Sequence, residues 1–122
     1  MMLLDSNIII YSIQPEFAEL RQLIAERNPA VSAISYVEVL GYHRLTESDK
    51  DDFMAFFDAA RIIPVSPPVL EQAVQLRQQR KTSLGDSIIA ATAMLNHLAL
   101  LTANVSDFQW IPNIRLLNPL IE

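Results

Sequence analysis

Short solid blocks of apolar residues alternate along the chain with longer stretches in which apolar residues recur every three or four positions. That is the pattern of buried strands joined by amphipathic helices. MMLLD (1–5) reads as a short buried strand, and SNIIIYSI (6–13) continues as a turn or a short helix. In PEFAELRQLIAERN (15–28), Phe17, Leu20, Leu23 and Ile24 fall at helical spacing, and Asn28 with Pro29 stops that helix. AVSAIS (30–35) reads as a second strand, and YVEVLGYHRL (36–45) as the helix after it. ESDKDDFMAFFDAAR (47–61) predicts a third helix, with acids in the first turn where the helix dipole favours them. IIPV (62–65) is a third strand. PPVLEQAVQLRQQRK (67–81) is an amphipathic helix with Val69, Leu70, Ala73, Val74 and Arg77 along one side. DSIIAATAMLNHL (86–98) is apolar almost all round, which predicts a buried helix. ALLTA (99–103) is a fourth strand and IRLLN (114–118) a candidate fifth. Strands alternating with helices specify an α/β fold with a largely parallel sheet. No linker, repeat or low-complexity tract interrupts the pattern, so residues 1–122 are expected to form one domain.

One apolar run breaks its own rule. LLDSNIII (3–10) carries Asp5 in its middle, and a buried carboxylate costs several kcal/mol or more unless something compensates it. In an open α/β sheet, ligands bind outside the carboxyl ends of the strands. Asp5 closes the first strand there. Glu38 lies just past the second strand and Asp107 just past the fourth. Asp86 opens the buried helix, whose start can face the same edge. Four acids far apart in sequence can thus meet in one pocket. A second reading stands beside this for three of them. Ser35 with Glu38, and Ser83 with Asp86, have capping-box spacing, and Asp107 after Ser106 suits a turn. Asp5 is harder to explain as a cap, because a cap needs no apolar flanks.

Composition narrows the chemistry. The absence of cysteine removes disulfides, thiolate zinc sites and cysteine nucleophiles, and fits a reducing compartment. Only Gly41 and Gly85 are present, so a Gly-rich phosphate loop is ruled out. The N-terminus lacks the basic region of a signal peptide, and no apolar run is long enough to span a membrane. A soluble, cytoplasmic protein is expected. The net charge of −5, taken alone, argues against a nucleic-acid binder, whose usual footprint is a basic surface.

Taken in order, LLDSNIII, the glutamate of SAISYVEVLG, LGDSIIAATAM and LLTANVSDF resemble the motifs of PIN-domain ribonucleases, most closely the VapC-type toxins of bacterial toxin–antitoxin pairs. The likeness runs from Leu3 to about Leu117. It departs in detail: Ser6 stands where Thr is commoner, and Ser83 and Leu84 fall at variable positions. The resemblance implies a three-layer fold with a central sheet of four to five strands flanked by helices. It implies a catalytic pocket of Asp5, Glu38, Asp86 and Asp107, supported by Asn7, Thr102 and Asn104. It also implies Mg²⁺ or Mn²⁺, an RNA substrate, a homodimer and a cognate antitoxin.

Physical chemistry fits those implications. Two unit charges 4 Å apart repel by about 1 kcal/mol in water and about 4 kcal/mol at an effective dielectric of 20, so clustered carboxylates need a cation or take up protons. Oxygen donors without cysteine suit Mg²⁺ or Mn²⁺, and Mg²⁺ takes only one or two carboxylates beside waters and phosphate. Asp5 and Asp86 are the expected metal ligands. Glu38 and Asp107 would act through water or on a second ion, one of them taking the water's proton. Arg77, Arg80 and Lys81, just ahead of Asp86, form the candidate RNA-binding patch; a solvated helix end reads the same way. His43 and His97 stand alone and read as packing or surface residues, and Trp110 beside Phe108 reads as core rather than as a base-stacking platform. Phe53, Met54, Phe56 and Phe57 read either as core or as a face for the antitoxin or second subunit. Three other functions stay open. A small-molecule phosphohydrolase is disfavoured because Asn7 replaces the second acid such a site needs. A non-catalytic binding module would use the acids as caps or docking points. A housekeeping RNA-processing nuclease would share the site without an antitoxin.

Overall fold

A computed structural model describes residues 1–121; Glu122, the last residue of the expected domain, lies outside them. The apolar blocks form five short strands: β1 (Met2–Leu4), β2 (Ala30–Ser32), β3 (Arg61–Ile63), β4 (Ala99–Leu101) and β5 (Leu116–Leu117). They pair in parallel throughout, in the order β3-β2-β1-β4-β5. Parallel neighbours need crossovers, and the periodic stretches supply them as α1 (Ser6–Ser12), α2 (Ala18–Arg27), α3 (Ala33–Leu40), α4 (Glu47–Ala59), α5 (Pro67–Gln79) and α6 (Leu84–Leu95). The α/β expectation holds, with the sheet parallel throughout and five strands wide.

Strand side chains alternate between the two faces of the sheet, and each face has its own core. Leu3, Ala30 and Leu100 pack with Val69, Ala73 and Leu76 of α5, the buried side of α6, and Phe108 and Ile111. Leu4, Val31 and Leu101 pack with Ile8, Ile9, Leu20, Val39, Phe53 and Phe57. The result is the three-layer arrangement. The chain runs outward from β1 to β2 and β3, then crosses back to lay β4 on the other side of β1. The order therefore reverses between β1 and β4, where the carboxyl ends of two neighbouring strands open a crevice.

Element types match the expectations, while several boundaries move. The second strand stops at Ser32, not Ser35, because Ser32 caps α3: its hydroxyl accepts from the N–H of Ile34 at 3.2 Å. The following helix accordingly covers 33–40 rather than 36–45. Pro64 lacks the N–H that a continuing strand would use, and β3 ends at Ile63. Of the residues read along one side of α5, Val69 and Ala73 are buried together with Leu76, whereas Leu70, Val74 and Arg77 are exposed. Phe53 and Phe57 are core, whereas Met54 and Phe56 are half-buried. His43 and His97 are both exposed.

Candidate active site

Asp5 is the first residue beyond β1 and is only 4% exposed. Its N–H donates to the Leu101 carbonyl at 2.9 Å, which ties it to the end of β4. Leu4 and Leu101, both fully buried on the sheet, fix that junction; burial of each is worth about 1.5–3 kcal/mol. The next residue of β4's extension, Thr102, is buried and donates its hydroxyl to Asp5 Oδ2 at 2.7 Å. Thr102 Oγ1 is held in turn by the backbone N–H of Asn104 at 3.0 Å. Asn104 thus enters through its main chain, while its side chain is on the exposed surface. Asn7 lies half-buried in the first turn of α1, and among the described residues its side chain makes no hydrogen bond.

Glu38 sits in the body of α3, six residues beyond the cap at Ser32. The Ser35–Glu38 capping box is therefore not formed. Ser6 Oγ lies 2.8 Å from Glu38 Oε1 and 2.9 Å from Ser35 Oγ. A hydroxyl has one proton and a carboxylate only accepts, so Ser6 donates to Glu38 and accepts a hydrogen bond from the Ser35 hydroxyl. Two serines buried between α1 and α3 thereby aim the glutamate. Asp86 stands in the first turn of α6. Ser83 does cap that helix, but through the backbone N–H of Asp86 at 3.1 Å, which leaves the carboxylate for other work. Gly85 packs directly against Glu38: a Cβ there would overlap the Glu38 carboxylate. The body of α3 and the start of α6 are therefore in contact beside the crevice. Asp107 ends the 3₁₀ turn Val105–Asp107 and is exposed at the rim.

The electrostatics record the convergence. Burial pushes the Asp86 carboxyl up to about 6, and the charges of Asp5, Asp107 and Glu38 push the same way against the Ser83 hydrogen bond. Asp5 is also raised, first by burial and then by Glu38 and Asp107, against hydrogen bonds from Thr102 and the Ser6 N–H. Asp5 and Asp86 thus both feel the charges of Glu38 and Asp107, and Asp86 also feels that of Asp5. Among the described residues, no three His, Cys, Asp or Glu side chains close into a cage for an ion. Mg²⁺ does not require one, since one or two carboxylates suffice beside water and phosphate. Two carboxylates on fixed backbone, one braced by a buried hydroxyl, fit that demand.

Arg77, Arg80 and Lys81 are exposed and line a cavity of about 540 Å³ together with Asp86, Asp107 and Trp110. The predicted basic patch and two of the acids thus share one hollow. Phe108 is core as expected, whereas Trp110 is half-buried and lines this cavity. A second, mostly apolar cavity of about 410 Å³ contains none of the four acids; Ile10, Ile13, Tyr42 and Phe53 line it. Sequence reasoning did not reach Ser6, Ser35 or Gly85 as parts of the site. The signal for the serines was small hydroxyls set inside apolar runs, and for Gly85 its place directly before Asp86.

A family model for the PIN domain matches residues 2–109. Ribonuclease VapC10 of Mycobacterium tuberculosis is 27% identical over 123 residues, covering 94% of this chain and 91% of that protein. A toxin–antitoxin complex from Klebsiella pneumoniae contains a chain 32% identical, with a TM-score of 0.77 and 98% of both chains covered. VapBC2 from Rickettsia felis, solved bound to a DNA fragment from its promoter, superposes with a TM-score of 0.80 at 24% identity, covering 96% and 97%.

Proposed function

The chain belongs to the PIN-domain family, and we propose that it is the endoribonuclease of a toxin–antitoxin pair, hydrolysing RNA phosphodiester bonds with Mg²⁺ or Mn²⁺ and stopping translation by cutting a specific RNA. The observation that carries this is the meeting of Asp5, Glu38, Asp86 and Asp107 at the crevice between β1 and β4. The likeness to a VapC ribonuclease and to a toxin–antitoxin complex supports it.

Asp5 and Asp86 are the residues that would hold the ion. Bound there, a divalent cation supplies neutralisation of phosphate charge and an acidified water. The protein's own groups do the rest. Thr102 fixes the rotamer of Asp5, and Ser6 fixes that of Glu38. Glu38 or Asp107, both more open to solvent than Asp5, would take the proton of the attacking water. Arg77, Arg80 and Lys81, which line the same hollow as Asp86 and Asp107, would hold phosphates, so the chain's net negative charge needs only local relief. The apolar cavity beside Phe53 supports docking of an antitoxin segment, and exposed Leu70 and Val74 on α5 support contact with a second copy. No helix among the described residues is long and apolar enough to cross a membrane; a cytoplasmic place follows from the proposed substrate.

The test is cleavage of total cellular RNA by purified protein with Mg²⁺, Mn²⁺ or EDTA, with fragment ends mapped beside an Asp5→Ala control. Discrete cuts that need both the metal and Asp5 are expected. No cuts by well-folded protein free of any partner would overturn the nuclease.

A further inference from the structure

Trp110 is the sole tryptophan of the chain, and the catalytic carboxylates do not require it. Its ring is only half-buried, packed on one side against the core. Its indole N–H donates to the backbone carbonyl of Asp107 at 3.0 Å, so the ring is tied to the turn that carries one of the four acids. The Arg80 guanidinium carbon lies 5.7 Å from the ring centroid, within cation–π reach. Both side chains line the hollow of about 540 Å³ that also contains Asp86 and Asp107. That hollow is therefore lined by acids, by cations and by one aromatic ring with a guanidinium lying over it.

A phosphate tethered by the cations beside the acids brings its attached nucleoside to that surface. Bases of single-stranded RNA stack on aromatic rings and on guanidinium planes. We propose that Trp110 and Arg80 form a stacking subsite for the unpaired nucleobase next to the cleaved phosphate. The proposal rests on the nuclease reading and adds to it a requirement for a base at one position. The subsite favours single-stranded over duplex RNA, because a paired base has no free face to offer.

The experiment uses the full-length Asp5→Asn protein, so that RNA stays intact. A short single-stranded RNA and an abasic ribose-phosphate oligomer of the same length are titrated in, and Trp110 emission and the anisotropy of a labelled end are both read. The base-bearing oligomer should quench Trp110, and the abasic one should bind roughly 5- to 150-fold more weakly, the range found per stacked base. In Trp110→Leu the two oligomers should bind alike. Arg80→Gln, a change at an exposed position, should shrink the difference as well and serves if Trp110→Leu does not fold. Equal binding of both oligomers with unmoved emission would overturn the subsite. If wild-type protein still cuts RNA in that case, the nuclease stands and only the subsite falls. Failure to cut and to bind either oligomer would remove both.

Discussion

Asp5 Oδ2 accepts a hydrogen bond from the Thr102 hydroxyl at 2.7 Å, yet the carboxyl is still raised, because burial and the neighbouring acids outweigh that bond. A raised acid is one whose charged form opposes folding. Asp5→Asn should therefore leave the metal-free protein as stable as wild type or more so, while cleavage falls by more than about 100-fold, beyond what losing a supporting residue costs. A melting curve and an RNA cleavage time course check both halves; a variant that cuts at the wild-type rate ends the assignment. Thr102→Val keeps the shape but removes the bond to Asp5 and the acceptor for Asn104 N–H. It should cost about 1–3 kcal/mol of stability and about 10- to 100-fold in metal affinity, with Thr102→Ser restoring most of both. At this scale the sequence was informative where a residue contradicted its surroundings. A carboxylate in an apolar strand asks for an explanation, which is why Asp5 stood out. Ser6 and Ser35 contradict nothing, since a small hydroxyl is tolerated in many places, so their hold on Glu38 emerges only once α1 and α3 lie side by side.

Helices place two of the acids, Glu38 in the body of α3 and Asp86 in the first turn of α6, and here the sequence was partly ambiguous. Ser32 and Ser35 are both competent caps, and only the sheet, which ends at Ser32, decides between them. Glu38 consequently sits in mid-helix, free of capping, and points its carboxylate at Gly85. Periodicity likewise groups Val69, Leu70, Ala73 and Val74 on α5 without saying which edge of that stripe is covered; packing on α6 covers Val69, Ala73 and Leu76. Element order and type were readable because strand and helix periods differ so plainly. The contact between α3 and α6 gives a prediction at the same scale. Gly85→Ala raises helix propensity by up to about 1 kcal/mol, so the fold should hold or gain. The added methyl must displace the Glu38 carboxylate, and cleavage should drop by about tenfold or more, the scale of a misplaced general base. In a Glu38→Ala background the same change should have no further effect on rate. A Gly85→Ala enzyme that cuts normally would show that Glu38 has no role at its observed position.

Over the whole molecule, the strand order gathers what the sequence scatters. Because β4 returns to the far side of β1, residues 5, 86 and 107 share one crevice, and like charges are left facing one another. That crowding couples metal binding to pH, and its sign is fixed. Asp86 takes a proton near pH 6 in the folded, metal-free protein but only near its ordinary 3.8 when unfolded. Between those values the folded state binds more protons, so this group's contribution to metal-free stability falls as pH rises through the window. An ion requires the deprotonated carboxylates, so it competes with that proton and binds better as pH rises past about 6. At about 100 times its Kd an ion adds about 2.7 kcal/mol, which for a domain this size is on the order of 10 °C in Tm. Melting curves with Mn²⁺ and with EDTA, recorded from pH 5 to 7.5, isolate the effect, since every group away from the site cancels in the difference. The gain from Mn²⁺ should be small at pH 5 and reach its full size by pH 7, and Asp86→Asn should reduce it at every pH. A gain equal at pH 5 and pH 7 would mean that the ion sits elsewhere, and no gain at either would leave the acids without the cation that explains their placement.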